Sequence, residues 1–206
     1  MRRLLISGMD GRMGQEVLRL AAEHGFEAKC FAPGMAGDVI VDFSHPARLE
    51  ALLASSLPLV IGTTGYTEEQ LRRIREAAKA RPIFQAANFS PGIYVLEQLG
   101  ALARRMLPEA QPALIEWHHA AKKDAPSGTA LRLAERLGLP VEAINVLRGG
   151  TVRGVHELVF LGQEEHITLT HTAESRAVFA RGALQAARWL MDQPPGYYTM
   201  ADWMDG

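Results

Sequence analysis

The chain carries a single cysteine, Cys30, in 206 residues. One thiol closes no internal disulfide and completes no CxxC metal motif, which excludes a disulfide-stapled scaffold and fits a reducing cytoplasm. Long apolar runs are missing too. The opening MRRLLISG has an apolar stretch of a few residues, too short for a signal peptide or a membrane span. No later segment approaches the ~20 apolar residues that a spanning helix needs. An excess of either charge is also absent: 22 Lys and Arg stand against 23 Asp and Glu, a net charge of -1. Nothing resembles the clustered basic surface of a nucleic-acid binder. The one dense basic run, Arg72, Arg73 and Arg75, is interleaved with Glu68, Glu69 and Glu76 and reads as a solvated helix face. These absences point to a soluble, cytoplasmic chain with neither a membrane nor a nucleic acid as partner.

What is present is apolar material for a core, 48% of the residues, enough for one large domain or two small ones. The first half alternates strands and helices. Arg3–Ser7 is a short strand, followed by a glycine turn and an amphipathic helix carrying Val17, Leu18, Leu20 and Ala21. Further strands are expected at 27–31, 38–43, 57–61 and 82–86, with helices at 46–55 and 67–80, the latter opened by a Thr67/Gln70 capping box. Such alternation predicts a Rossmann-like, doubly wound parallel sheet. After Phe89 the pattern changes. A long helix at 93–107, a strand at 113–118, a polar loop, a helix at 128–137 and strand runs at 143–147, 156–161 and 166–172 predict a second α+β domain with an open mixed or antiparallel sheet. Ser175 opens a last helix over 176–191, and the tail 194–206 reads as irregular.

Three glycines, Gly8, Gly11 and Gly14, bracket Met9, Asp10, Arg12 and Met13 between the first strand and its helix. Glycines let a backbone turn tightly and approach a pyrophosphate, and the helix that follows offers unpaired N–H groups and the positive end of its dipole. The spacing is GxxGxxG rather than the GxGxxG of the dinucleotide fingerprint, and a plain strand–helix turn is the alternative. Gly62-Thr63-Thr64 and Ala86-Ala87-Asn88-Phe89 follow the fourth and fifth strands, at the carboxyl edge where open α/β sheets bind ligands. The richest stretch is Glu116–Ala130, EWHHAAKKDAPSGTA. A histidine exchanges protons near neutral pH, and a lysine meets a carboxylate or a developing anion. Ser127, Gly128 and Thr129 open a helix whose hydroxyls and N–H groups suit a carboxylate. Together they suit a small anion that must be protonated. The alternatives are a histidine metal site or a polar loop, and the lysines argue against the metal.

GxxGRMG, GTTG, AxNFS and HHxxKxDAPSGTA resemble the dihydrodipicolinate reductase family. So does the later series Arg148-Gly149-Gly150, Gly154-x-His156-Glu157, Phe160-x-Gly162, Glu165, His171 and Ser175-Arg176-x-x-Phe179-Ala180-x-Gly182-Ala183. The resemblance spans nearly the whole chain. It implies reduction of a small cyclic dicarboxylate, 4-hydroxy-tetrahydrodipicolinate, by NADH or NADPH in lysine and diaminopimelate biosynthesis, without a metal. It implies His118 as acid/base, Lys122 as proton donor and carboxylate partner, and His119, Ser127, Gly128 and Thr129 as substrate contacts. The dinucleotide is expected on Gly8–Met13, Gly62–Thr64 and Ala86–Phe89. Residues 1–89 and 175–206 would form the dinucleotide-binding domain, and 90–174 the domain for substrate and for assembly into a homotetramer. A closing motion between the two would bring donor and acceptor together.

The chain departs from the family in being short between its second and third strands, at Pro33–Gly37, where the ribose-selecting residue would stand. After the second strand it reads KCFAPG, with no carboxylate to mark NADH and no cation at the strand end to mark NADPH, so the cofactor choice stays open. A different amino-acid dehydrogenase and a redox-sensing dinucleotide binder are the rival readings. The HHAAKKDAPSGTA cluster argues against both, since a sensor needs no acid beside a carboxylate cradle.

Overall fold

A computed structural model describes all residues, Met1–Gly206. In chain order the elements are β1 (Arg2–Ser7), α1 (Arg12–Ala21), β2 (Phe26–Cys30), β3 (Val39–Asp42), α2 (Leu49–Leu53), β4 (Leu59–Ile61), α3 (Glu68–Ala77), β5 (Pro82–Gln85), α4 (Pro91–Met106), β6 (Gln111–His118), α5 (Gly128–Leu137), β7 (Ile144–Arg148), β8 (Val155–Leu161), β9 (His166–Thr172), α6 (Ala177–Leu190), β10 (Gly196–Tyr198) and α7 (Met200–Met204). They form two compact units, Met1–Phe89 with Arg176–Gly206, and Ser90–Ser175. The expected boundary at 174/175 lies one residue earlier.

In the first unit six parallel strands run in the order β10-β5-β4-β3-β1-β2. Strand order reverses between β1 and β3, the switch point at which doubly wound sheets bind ligands. The central strands are covered on both faces: Leu4, Ile6, Val39–Val41 and Leu59–Ile61 are all fully buried, as an all-parallel sheet requires. Helix α3 starts with the expected capping box, Thr67 Oγ1 accepting from Gln70 N and Gln70 Oε1 accepting from Thr67 N. The helix expected over 46–55 divides instead into a 3-10 turn at Pro46–Arg48 and the short α2. The tail corrects the sequence reading more substantially. It is not irregular: β10 pairs with β5 at the sheet edge, and α7 follows with its own Thr199/Asp202 capping box. Three residues are too few to show a period, and their pairing is decided by the neighbouring strand. Helix α6 lies against Phe89, where a Cβ on Gly182 would fall 1.8 Å from the Phe89 carbonyl oxygen.

The second unit is a mixed four-stranded sheet, β7-β6-β8-β9, parallel between β6 and β7 and antiparallel elsewhere. One face packs on α4 and α5 through Ile93, Leu96, Leu114, Leu133, Leu137, Leu158 and Phe160. Trp117, Leu147 and Leu161, which alternate with these along the strands, are exposed on the other face. Register places Glu116, His156 and His171 side by side across β6, β8 and β9 on the packed face. Strands β6 and β7 end, and β8 begins, at the same edge of the sheet, so His118, Arg148 and His156 converge there with the start of α5.

Candidate active site

The alternation Leu114-x-Glu116-x-His118 puts a carboxylate and an imidazole on the core-facing side of β6, where Glu116 is fully buried. Four groups surround that carboxylate. Ser127 N donates to Glu116 Oε1 at 2.9 Å and Arg148 donates to the same oxygen at 2.8 Å. His118 Nδ1 stands 3.2 Å and His156 Nε2 3.7 Å from Oε2. Neither Glu116 Oε2 nor His118 Nδ1 has another hydrogen-bond partner, so the two buried atoms face only each other and the His156 ring. Burial would raise the Glu116 carboxyl, but the contacts from His118, Ser127 and Arg148 outweigh it and hold the group well below the usual carboxylate range. His156 goes the other way. Burial, reinforced by the neighbouring charge of His118, pushes it down to about 3 against the pull of Glu116, so its ring is neutral. The two rings meet edge-on, centroids 5.4 Å apart.

Ser127 is the N-cap of α5, its hydroxyl accepting from Ala130 N at 3.2 Å and lying 3.3 Å from His156 Nε2. It is buried and its polar atoms are occupied, so the sequence expectation of Ser127 as a substrate contact meets a residue that faces the core. Gly128 and the half-buried Thr129 open the helix beyond it. A cis Ala125–Pro126 bond precedes the cap. Lys122 lies in the same loop, and its ammonium is held by both oxygens of Asp124, at 2.8 and 2.6 Å. Arg148 ties the loop down by donating to the Asp124 carbonyl. His119 is half-buried beside His118. Glu116, His118 and His156 bring ligand atoms within 4.8 Å of one another, the spacing of a metal set. Arg148 already holds the Glu116 carboxylate, however, and a fixed guanidinium against a ligand oxygen disfavours a dication. Sequence reasoning assigned no role to Glu116, Arg148 or His156. The period-2 pattern could have flagged Glu116 as an inward-facing carboxylate; the other two come from strands far off in sequence.

In the first unit, Gly8 takes φ +80°, and Gly11 N donates to its carbonyl. A Cβ on Gly14 would lie 2.1 Å from the Gly8 oxygen, so the first turn of α1 can only seat itself this close to the loop with glycine there. Helix α1 is capped by Gly11 with no side-chain cap, which leaves its first N–H groups available to an anion. Asp10 and Arg12 are exposed, Met9 and Met13 half-exposed. Thr63 is buried, its hydroxyl accepting from Ser44 N at 2.9 Å, while Thr64 is exposed next to it and Gly62 half-buried. Ala86 is buried, Ala87 exposed and Asn88 half-buried. The Phe89 ring sits in the core against Phe84 and Phe43, centroids 5.7 and 5.8 Å away. A ligand at this position would meet main chain, not the ring.

Two family models match the chain in sequence order, the second running through the second unit into the closing elements of the first. Residues 28–89 match the family described as dihydrodipicolinate reductase, N-terminus, and residues 92–204 match dihydrodipicolinate reductase, C-terminus. A protein of Caldanaerobacter subterraneus named 4-hydroxy-tetrahydrodipicolinate reductase is 38% identical, over 97% of this chain and 97% of its own. One of the same name from Stenotrophomonas maltophilia is 41% identical, over 97% and 96%. A solved structure, dipicolinate-bound dihydrodipicolinate reductase from Paenisporosarcina sp. TG-14, superposes with a TM-score of 0.81 at 22% identity, covering 99% of each chain, and shares the fold. No helix of the protein is long and apolar enough to cross a membrane.

Proposed function

This chain belongs to the dihydrodipicolinate reductase family, and from that premise we propose that it reduces 4-hydroxy-tetrahydrodipicolinate with a nicotinamide dinucleotide, as an oxidoreductase of lysine and diaminopimelate biosynthesis. One observation carries the reading: a fully buried, ionised Glu116 gathers His118, Arg148 and the Ser127 cap of α5 around the edge of one sheet, with Lys122 in the adjoining loop. That is an acid/base group beside a place for a carboxylate.

The first unit suits the dinucleotide. The uncapped start of α1 and the clearance at Gly14 form a cradle that a Cβ would fill, so Gly8–Met13 are assigned to the pyrophosphate. Gly62–Thr64 and Ala86–Phe89 are assigned to the nicotinamide end, largely through main chain. Bound there, NADH or NADPH supplies the hydride. In the second unit the N–H groups of Gly128 and Thr129, the Thr129 hydroxyl and Lys122 receive a carboxylate, with His119 at its flank. Lys122 exchanges its Asp124 partner for the substrate carboxylate. The substrate hydroxyl leaves as water before or with hydride arrival at the conjugated imine ring, and His118 and Lys122 hold the proton that follows the hydride. Charge is thus met by Lys122 and the helix start, and no step calls for a metal. We also propose a cytoplasmic setting and a homotetramer built on the exposed sheet face that carries Trp117, Leu147 and Leu161, a mass that light scattering will read.

Calorimetric titration tests the division of labour. Pyridine-2,6-dicarboxylate keeps both carboxylates of the substrate, so Thr129→Val should weaken it by about 1.5–3 kcal/mol, the range for a hydrogen bond to a charged group. NADH affinity should stay unchanged. A variant that loses NADH and keeps the dicarboxylate would reverse the two assignments.

A further inference from the structure

Glu116 is fully buried and ionised, and it gathers the site without touching substrate or exchanging a proton in any step above. The charged and titratable groups around it come from every neighbouring element: His118 on β6, Arg148 on β7, His156 on β8, Lys122 and Asp124 in the loop before α5, and His171 beyond His156 on β9. A carboxylate offers only acceptors. Oε1 is taken by Ser127 N and by Arg148. Oε2 is left facing the imidazoles, with His118 Nδ1 the nearer at 3.2 Å. An acceptor on that side calls for a hydrogen on Nδ1, which in a neutral ring leaves Nε2 bare. Nε2 packs beside Gly154, where a Cβ would lie 2.9 Å away, so only glycine leaves the ring room to stand in this orientation.

We propose that Glu116 is the positioning residue of this site: it fixes His118 as the Nδ1–H tautomer with Nε2 presented for proton exchange, and through Ser127 N–H it ties that ring to the helix start that receives the substrate carboxylate. The inference rests on reading His118 as the acid/base group. Its physical logic is that of a carboxylate behind a histidine, where exchange of the acid for an amide inverts the tautomer and leaves the shape intact. Glu116→Gln keeps an oxygen for Ser127 N–H and Arg148 but turns an NH2 toward His118 Nδ1.

The test uses full-length enzyme with 15N-labelled histidine, read by long-range proton–nitrogen correlation at about pH 8, where a free imidazole is neutral. The His118 ring is assigned by its loss in His118→Gln. The wild-type ring is expected to carry its hydrogen on Nδ1, and Glu116→Gln to reverse or scramble that pattern. The same variant should lower kcat by at least about 100-fold, while the Kd for pyridine-2,6-dicarboxylate stays within about fivefold because the cap hydrogen bond survives. Glu116→Asp retains an acceptor-only group and should recover the Nδ1–H pattern and part of kcat. A wild-type ring bare at Nδ1 overturns the proposal without any variant, so a misfolded mutant cannot shield it. Glu116→Gln with kcat within about threefold of wild type also overturns it, as does an Asp variant no better than Gln. If His118→Gln itself keeps full kcat, the acid/base reading fails instead, and the nitrogen spectrum still reports whether Glu116 holds the ring.

Discussion

At the scale of single residues, the most informative side chain is Lys122. In the structure its ammonium is not idle; Asp124 holds it with both oxygens. Asp124 is half-exposed, so the pair is a weak hold that an incoming carboxylate can replace. If Lys122 then meets the substrate carboxylate and the developing charge, Lys122→Ala removes a ground-state contact and a transition-state contact at once. KM should rise, kcat should fall, and kcat/KM should drop by about 2–4 kcal/mol, the scale of one oxyanion-type donor. Steady-state kinetics within threefold of wild type would remove Lys122 from the reaction. Two other motif residues offer main chain in place of a side chain. Ser127 and Phe89 both stand in motif positions that suggest ligand contact, yet one is a buried cap and the other a core ring.

At the scale of elements, the rung across β6, β8 and β9 sets a pH dependence. His156 is pushed from its ordinary 6.5 down to about 3, first by burial and then by the charge of His118. Below 6.5 the unfolded chain therefore takes up a proton that the folded chain refuses. The stability this group leaves intact is fully present above about 6.5 and is lost as the pH falls toward 3, at up to about 1.4 kcal/mol per pH unit. Glu116 adds to the same trend at lower pH. Its carboxyl lies below the ordinary 4.5, so its contribution is present above that value and is lost as the pH falls beneath it. Urea midpoints at pH 7, 6 and 5 should drop for the wild type, and the slope should be shallower in His156→Gln whatever its absolute stability. Parallel curves for the two proteins would show that His156 is not the group refusing the proton.

At the scale of the whole molecule, the choice of dinucleotide turns on the segment that follows β2. Strand β2 ends at the exposed Cys30, and the chain passes the buried Phe31 into the turn at Gly34 without presenting a carboxylate to a ribose. The nearest acid beyond that turn, Asp38, accepts from Arg3 N and so holds β1. Glu27, on the strand itself, pairs with Lys29. With no acidic selector in place, and with the one cation near the strand end, Lys29, held by Glu27, kcat/KM for NADH and NADPH should differ by less than about a hundredfold, or ~2.7 kcal/mol. The exposed Arg12 tilts any difference toward NADPH through its charge. A thousandfold preference in paired steady-state assays would reveal a selector elsewhere in the first unit.

The sequence by itself determined the element order up to α6, the parallel character of the first sheet, the glycine cradle before α1 and the loop that brings His118 near Lys122. Those features are local: they are written in apolar periodicity, in glycine spacing and in the capping residues of a few consecutive positions. Tertiary structure alone decided the rest. It made a strand and a helix of the tail, because β10 exists only by pairing with the edge of β5. It turned Ser127 inward, because Glu116 and His156 wait there for its N–H and hydroxyl. It also brought Arg148 and His156, 32 and 40 residues from Glu116, to one carboxylate through strand register. No local pattern encodes such a meeting, since register is chosen by the core that the whole sheet buries.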